Sequence, residues 1–392
     1  MRLRRRLAIL ALAAAVPALS AQAQQAQQAQ QAAPETGAET DATERGWRDL
    51  FFDPQDGAPD LSGLLARGGF VPAPVLITEP AVDGGLGLVG YFVQMRGADR
   101  PPERTILGAA VTGNGSNGYG ALHSGSFLGG DLLYSAAAAH GLAILNLYPG
   151  GRDYSLAYDN TITYVGGRAH YRLGGGAVSV GPSVSWRSND VAADLSGLFP
   201  RRDPLLGRTT DLLALGGSLH YDDRDNPLTP TSGVNAIAEA LTYSAALGSD
   251  RDFSSLTMTA AGFESRGEWT AGALISLAAT FGDAPFFMEP GVDLRGVSYG
   301  RYTGDRVASL EVELRRQVSD RWAVLGFAGV GHAQRSGSIL SGSEATVPAG
   351  GVGLRYRIAR KLGLDMGLDL AFGEEGSTVY IQFGHAWGRS MD

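Results

Sequence analysis

The chain has 392 residues with 56 glycines, 18 prolines, no cysteine and a formal charge of −8. Glycine at about twice its average share argues against a mainly helical protein, and the lack of cysteine excludes a disulfide framework, a thiolate metal site and a cysteine nucleophile. The acidic balance argues against general nucleic-acid binding.

Residues 1–23 read as a secretory signal peptide. Arg2, Arg4, Arg5 and Arg6 form a basic start, Leu7 to Leu19 is apolar, and Ala21 and Ala23 supply the small residues before cleavage at Gln24. The apolar stretch is too short to cross about 30 Å of hydrocarbon as a helix, so export is expected, and removal of the four arginines takes the formal charge from −8 to −12. Residues 24–46 are Gln/Ala repeats and a polar run that cannot repay the entropy of ordering, and read as a disordered linker. Residues 47–83 read as a short periplasmic or lumenal segment, with Asp60 as N-cap of one or two helical turns, then a Pro-spaced extended piece from Phe70 to Pro80.

From Gly84 onward the pattern alternates with period two. Leu362, Leu364, Met366, Leu368, Leu370 and Phe372 fill one parity, against Gly363, Asp365, Gly367, Asp369 and Ala371 on the other. Ala308, Leu310, Val312 and Leu314 oppose Ser309, Glu311, Glu313 and Arg315 in the same way, and comparable splits start at Val178 and Val352. Such alternation means strands with one apolar and one polar face. The runs exceed the usual 5 or 6 residues, and their polar parity is Gly, Ser and Ala with single charges. A lipid-facing wall around a wet lumen requires that combination, since only a closed barrel satisfies every backbone group in lipid. Residues 84–392 are therefore expected to form an all-β, transmembrane antiparallel β-barrel, which a mean hydropathy of −0.04 would not reveal.

The stretch from Leu132 to Gly151 lacks Asp, Glu, Lys and Arg and competes as a transmembrane helix, but Gly141, Asn146 and Pro149 favour a strand or hairpin. Fifteen runs are countable between 84 and 387. Bacterial single-chain barrels have even strand numbers, so one of the two long runs between 131 and 173 is expected to fold back and make sixteen.

Leu294 to Arg306 (Leu-Arg-Gly-Val-Ser-Tyr-Gly-Arg-Tyr-Thr-Gly-Asp-Arg), leading into the strand from Ser309, resembles the sixth extracellular loop of the BamA/TamA-type superfamily, the bacterial surface antigen barrels, whose loop tip reads Val-Arg-Gly-Phe/Tyr. Tyr221, Asp222, Arg224 and Asp225 resemble the family's Tyr-Asp-x-Arg-Asn/Asp segment, and Val379 to Trp387 its aromatic-ended closing strand. The resemblance implies sixteen strands and a sixth loop folded into the lumen, with the tip Arg paired to an inner-wall acid. By position the tip is Arg295 and Gly296, flanked by Tyr299, Arg301 and Tyr302, and the acids on lumen-facing parity are Glu311, Glu313, Asp365 and Asp369. A guanidinium inside a barrel needs such a partner on physical grounds alone. The chain departs from the pattern at Val297, where an aromatic is usual, and at Gly329, which stands in the Asp position of Phe-x-Asp-x-Gly. Client-receiving POTRA domains of assembly members do not fit between Gln24 and Asp83.

Other motif matches are weaker. Gly296 to Gly300 matches Gly-x-Ser-x-Gly without a strand-to-helix elbow for Ser298, and Gly113 to Gly118 matches Gly-x-Gly-x-x-Gly where a hairpin explains it. The six histidines lack metal spacing, and His385 shares the outward parity of Phe383 and Trp387. Asp222, Asp223 and Asp225 lack the Gly and distal Glu of an EF-hand loop, so inner-wall pairing of this cluster with Arg224 is expected. No enzyme, cofactor or metal site is expected.

Two functions remain. One is help with insertion or translocation of other proteins, through a weak seam between a first strand containing Gly84 and Leu86 and a last strand containing Phe383 and Trp387, which opens for edge addition. The other is a passive pore or structural barrel. The partners expected are outer-membrane lipid and an unfolded client protein, for a monomer in the bacterial outer membrane.

Overall fold

The computed structural model describes residues 48–65, 69–94, 103–148, 156–192, 207–336 and 344–387. The expected signal peptide and linker lie outside these residues.

Sixteen strands form one antiparallel sheet in which spatial order follows chain order. They are β1 (Gly69–Ile77), β2 (Gly85–Gln94), β3 (Glu103–Thr112), β4 (Asn117–Phe127), β5 (Leu132–Leu147), β6 (Leu156–Arg172), β7 (Val178–Ala192), β8 (Arg208–Asp222), β9 (Gly233–Tyr243), β10 (Phe253–Arg266), β11 (Trp269–Gly282), β12 (Arg306–Gln317), β13 (Trp322–Gln334), β14 (Glu344–Ala359), β15 (Leu364–Gly373) and β16 (Gly376–Phe383). The sheet curves nearly shut into a barrel, and an even strand number puts β1's start and β16's end at one rim, here the terminal rim. The opposite rim carries the β1–β2 and β15–β16 hairpins and the long β11–β12 connection.

Two sequence expectations are corrected. β5 and β6 are single unbroken strands, so neither long run folds back. The sixteenth strand is β1, which lies before the expected barrel start at Gly84 and contains Pro72 and Pro74. Proline reads as a strand breaker because it lacks an N–H, but at a sheet edge that N–H has no ladder partner to lose. The hydrogen-bond phase places both prolines there. Gly113 donates to the Gly84 carbonyl at 2.9 Å, so even-numbered β2 residues face β3 and odd-numbered ones face β1. β1 and β2 pair odd with odd, as in Ala73↔Val89, and Pro72 and Pro74 therefore point away from β2.

The outer wall is apolar as the alternation requires. Leu310, Val312, Leu314, Val352, Leu354, Leu368, Leu370 and Phe372 face outward with substantial exposure. Aromatic side chains gather near both rims, with Phe127, Tyr171, Trp269 and Trp322 toward the terminal rim and Phe281 and Phe372 toward the opposite one. That is the girdle arrangement of membrane barrels. Among the described residues no helix is long and apolar enough to cross a membrane.

The parity rule fails at one place for a local reason. Leu362 and Leu364 share the outward parity of Leu368, yet they are buried with Leu228 and Ala359 and packed by Leu65. A register shift between Arg357 and Ala359 bends the end of β14, and the N-terminal segment covers this corner.

Candidate functional site

The β11–β12 connection, residues 283–305, turns back into the barrel. Val292, Leu294, Val297 and Tyr302 bury their side chains against Val307, Ala333 and Val347 of β12, β13 and β14, so Val297 fills an apolar position although it is smaller than an aromatic. The loop has a 3-10 turn at Phe286–Met288. Phe286 meets Tyr158 edge-on at 5.2 Å between ring centroids, anchoring the loop on the far wall as well.

Arg295 lies at the centre of this packing. Its Nε and Nη2 donate to Glu311 Oε1 at 2.9 and 2.6 Å, its Nη2 also to Glu313 Oε2 at 2.8 Å, and its Nη1 to Asp369 Oδ2 at 2.7 Å. The guanidinium lies 3.6 Å from the centroid of the Phe327 ring, a cation–π contact that a desolvated site strengthens. Arg355 also pairs with Asp369. Three carboxylates thus meet two guanidiniums, which is how buried charge becomes tolerable. Of the four candidate acids Glu311, Glu313 and Asp369 take part, whereas Asp365 pairs with Arg315 at 3.3 Å and with Arg357 nearer the terminal rim.

Glycines make room for the loop. Gly296 has φ +95° and donates its N–H to the Tyr380 hydroxyl at 3.0 Å. A Cβ on Gly329 would meet Leu294 Cδ1 at 2.5 Å, and one on Gly331 would run into Val292. Gly329 therefore replaces the family-like Asp because loop side chains occupy that space, and the acids come from β12 and β15 instead.

The loop also joins the two hairpins that flank the barrel's open side. The Tyr299 N–H donates to Glu79 Oε1 at 3.1 Å in the β1–β2 hairpin. Arg301 pairs with Glu375 at 2.6 Å in the β15–β16 hairpin, and the Tyr302 hydroxyl donates to Glu374 at 2.9 Å.

At the terminal rim the β8–β9 connection organises the chain ends. Arg224 donates to both oxygens of Asp222, each at 2.8 Å, and the Tyr221 hydroxyl donates to Asp223 at 2.6 Å. Asp225 accepts from the Thr231 and Ser232 N–H groups at 2.9 and 3.0 Å, closing the turn. The Leu228 carbonyl accepts the His385 N–H at 2.8 Å, and Arg224 Nη1 lies 3.3 Å from His385 Nε2.

The last strand is corrected here. It ends at Phe383, Gly384 adopts φ +77°, and the following residues turn inward rather than continuing the outward parity. His385 and Trp387 are buried, and Trp387 packs with Ala261 and Leu274 of β10 and β11 while its Nε1 donates to Glu311 Oε1 at 2.5 Å.

The N-terminal segment docks under the same rim, with helical turns α1 (Arg48–Phe51) and α2 (Ser62–Leu65). Arg321, in the β12–β13 turn, donates to Asp53, Asp56 and Asp60 at 2.7 to 2.9 Å. Asp60 caps α2 through the Ser62 N–H at 2.7 Å, and the Leu61 N–H donates to the Ile358 carbonyl at 2.6 Å. Hydrogen bonding from Arg321 holds the Asp56 carboxyl down at about 2, and the aspartates raise the Arg321 guanidinium above its ordinary value. Burial alone would raise Asp60, but hydrogen bonds from Ser62, the Arg360 N–H and Arg321 reverse it to a net lowering.

The seam itself carries no ladder: among the described residues β16 pairs with β15 alone and β1 with β2 alone. Of the residues expected at the seam, Gly84 lies in the β1–β2 connection and Leu86 near the start of β2, where it faces outward. The seam strands are β1 and β16. Sequence reasoning missed Arg321, Arg355, Glu79, Glu374 and Glu375. The usable signal was three aspartates at Asp53, Asp56 and Asp60 in a short segment, a cluster that asks for a cation.

A strand-ordered barrel with an interior sixth loop, an open first–last seam and an inturned segment after β16 can be compared with solved structures. BamA from Haemophilus ducreyi lacking POTRA domains 1–3 aligns over 81% of this chain and 70% of its own, with TM-score 0.58 and 11% identity. The chain folds as a barrel of the BamA type. CdiB from Escherichia coli aligns over 80% of this chain with TM-score 0.53 and 12% identity, and CdiB from Acinetobacter baumannii over 80% with TM-score 0.54 and 10% identity. The chain spans 61% and 59% of the length of those two proteins. No family model matches the sequence, and no curated protein matches it.

Proposed function

We propose that this protein is a bacterial outer-membrane barrel that assists insertion or translocation of other proteins, acting as a single chain without enzymatic chemistry. The observation that carries the reading is the unpaired seam between β1 and β16. A passive barrel gains by closing, because closure abolishes edges, and each unpaired backbone group in lipid costs several kcal/mol. An edge kept open at that cost is a surface with a use. The sixth loop across the lumen counts against the runner-up reading, a passive pore. The test is the outer-membrane proteome of the native host with and without this gene. Selective loss of one or a few surface proteins supports the role and names the client. An unchanged proteome together with lost solute uptake selects the pore.

A further inference from the structure

The two edges of the seam are chemically unequal. Gly384 donates to the Asp365 carbonyl at 2.7 Å, in phase with the β15–β16 register, where 382 meets 367 and 380 meets 369. Even-numbered residues of β16 therefore face β15. Ser377, Val379, Ile381 and Phe383 direct their N–H and C=O groups to the open side, an uninterrupted row of four donors and four acceptors. On β1 the corresponding residues are Phe70, Pro72, Pro74 and Leu76, and the two prolines delete half of the donors from the middle of the row.

We infer that the free edge of β16, and not that of β1, is the surface that receives an extended strand of a partner protein, with Pro72 and Pro74 keeping β1 from occupying it. This rests on the proposed insertion role and names the side of the seam on which it acts. Main-chain hydrogen bonds supply affinity in strand addition and alternate side chains supply selectivity. β16 exposes Val379 to lipid and buries Tyr380 and Gln382 on the lumen side. The fitting partner is therefore a proline-free strand, apolar on one parity and small or polar on the other, as in a membrane barrel strand. A second copy of this chain fits less well. The gap is bridged at one rim by Tyr299 and Arg301 of the sixth loop. At the other rim Leu65 packs on Leu362 and Leu364 only a few residues before β1 begins. A single strand adds about 4.8 Å of sheet width, whereas a whole barrel would have to pass those bridges.

The experiment uses the full chain in lipid nanodiscs and a synthetic peptide of sequence 69–77 carrying Pro72→Thr and Pro74→Thr. Amide hydrogen exchange is read across Ser377–Phe383 and across β1. Saturating peptide is expected to slow exchange of the Val379 and Ile381 amides by at least about tenfold, equivalent to about 1.4 kcal/mol, and to leave β1 unchanged. The peptide with its native prolines should protect less. In the chain variant P72T/P74T, β1 regains its donors and should pair with β16, so these amides become protected without peptide and peptide binding is lost. Protection at β1 instead of β16, protection nowhere, unchanged exchange in P72T/P74T, or protection that follows dimer formation without peptide each overturns the inference. Protection at β1 while the host proteome still loses clients removes only the edge assignment. An unchanged host proteome removes the insertion role and the inference with it.

Discussion

Trp387, four residues past the end of β16, donates its indole N–H to the same Glu311 oxygen that accepts Arg295 from the sixth loop. The segment after β16 and the sixth loop are thus fastened to one carboxylate on β12. Trp387→Phe removes the donor and keeps the ring packing, so the expected loss is about 1.5–3 kcal/mol, the range for a hydrogen bond to a charged group. Thermal unfolding of the detergent-solubilised barrel measures it, and an unchanged Tm would show that the contact contributes nothing.

Arg295→Ala leaves Glu311 and Glu313 facing each other without their cation, and Asp369 with Arg355 alone. Breaking a buried charge cluster from one side costs about 3–5 kcal/mol, and loss of loop docking should raise single-channel conductance. Arg295→Lys is expected to recover little, because one ammonium cannot reproduce the fork that reaches three carboxylates. Docking through Arg295 is wrong if stability and conductance both stay at the wild-type level.

Gly329→Asp, although it restores the family-like residue, is expected to destabilise the protein. The new side chain would enter the space held by Leu294 and would set a fourth carboxylate beside Glu311. Limited proteolysis should then cut the 283–305 loop faster than in wild type, and equal cleavage would show that the wall can give way.

The N-terminal clamp carries a pH signature. Asp56 has its carboxyl depressed to about 2 by Arg321, so its contribution is fully present above the unfolded value of about 3.9 and is lost as pH falls through the folded value. A spin label at Pro54→Cys is expected to stay immobilised from neutral pH to about 4 and to loosen between about 4 and 2. Arg321→Ala should loosen it at every pH, and mobility indifferent to both changes would leave the clamp without a role.

The alternation alone determined the membrane barrel and its inside and outside. Parity is a local property of each strand, and Leu310, Glu311, Val312 and Glu313 carry it in four consecutive residues. It also marked Glu311, Glu313, Asp365 and Asp369 as lumen-facing acids, while the place of Arg295 among them came from the resemblance of the loop, an interior guanidinium being in need of carboxylates. The tertiary structure decided the rest. β1 was legible as an extended piece but not as a barrel strand, because Pro72 and Pro74 cannot donate to a ladder and only the sheet edge makes their missing N–H groups harmless. Asp365 was diverted from Arg295 to Arg315 and Arg357 by its depth along β15, a coordinate that parity does not contain. His385 and Trp387 turned inward because Gly384 ends the strand and the Leu228 carbonyl and Glu311, distant in sequence, supply the hydrogen bonds that hold them. Those partners become neighbours only when sixteen strands curve the sheet back on itself.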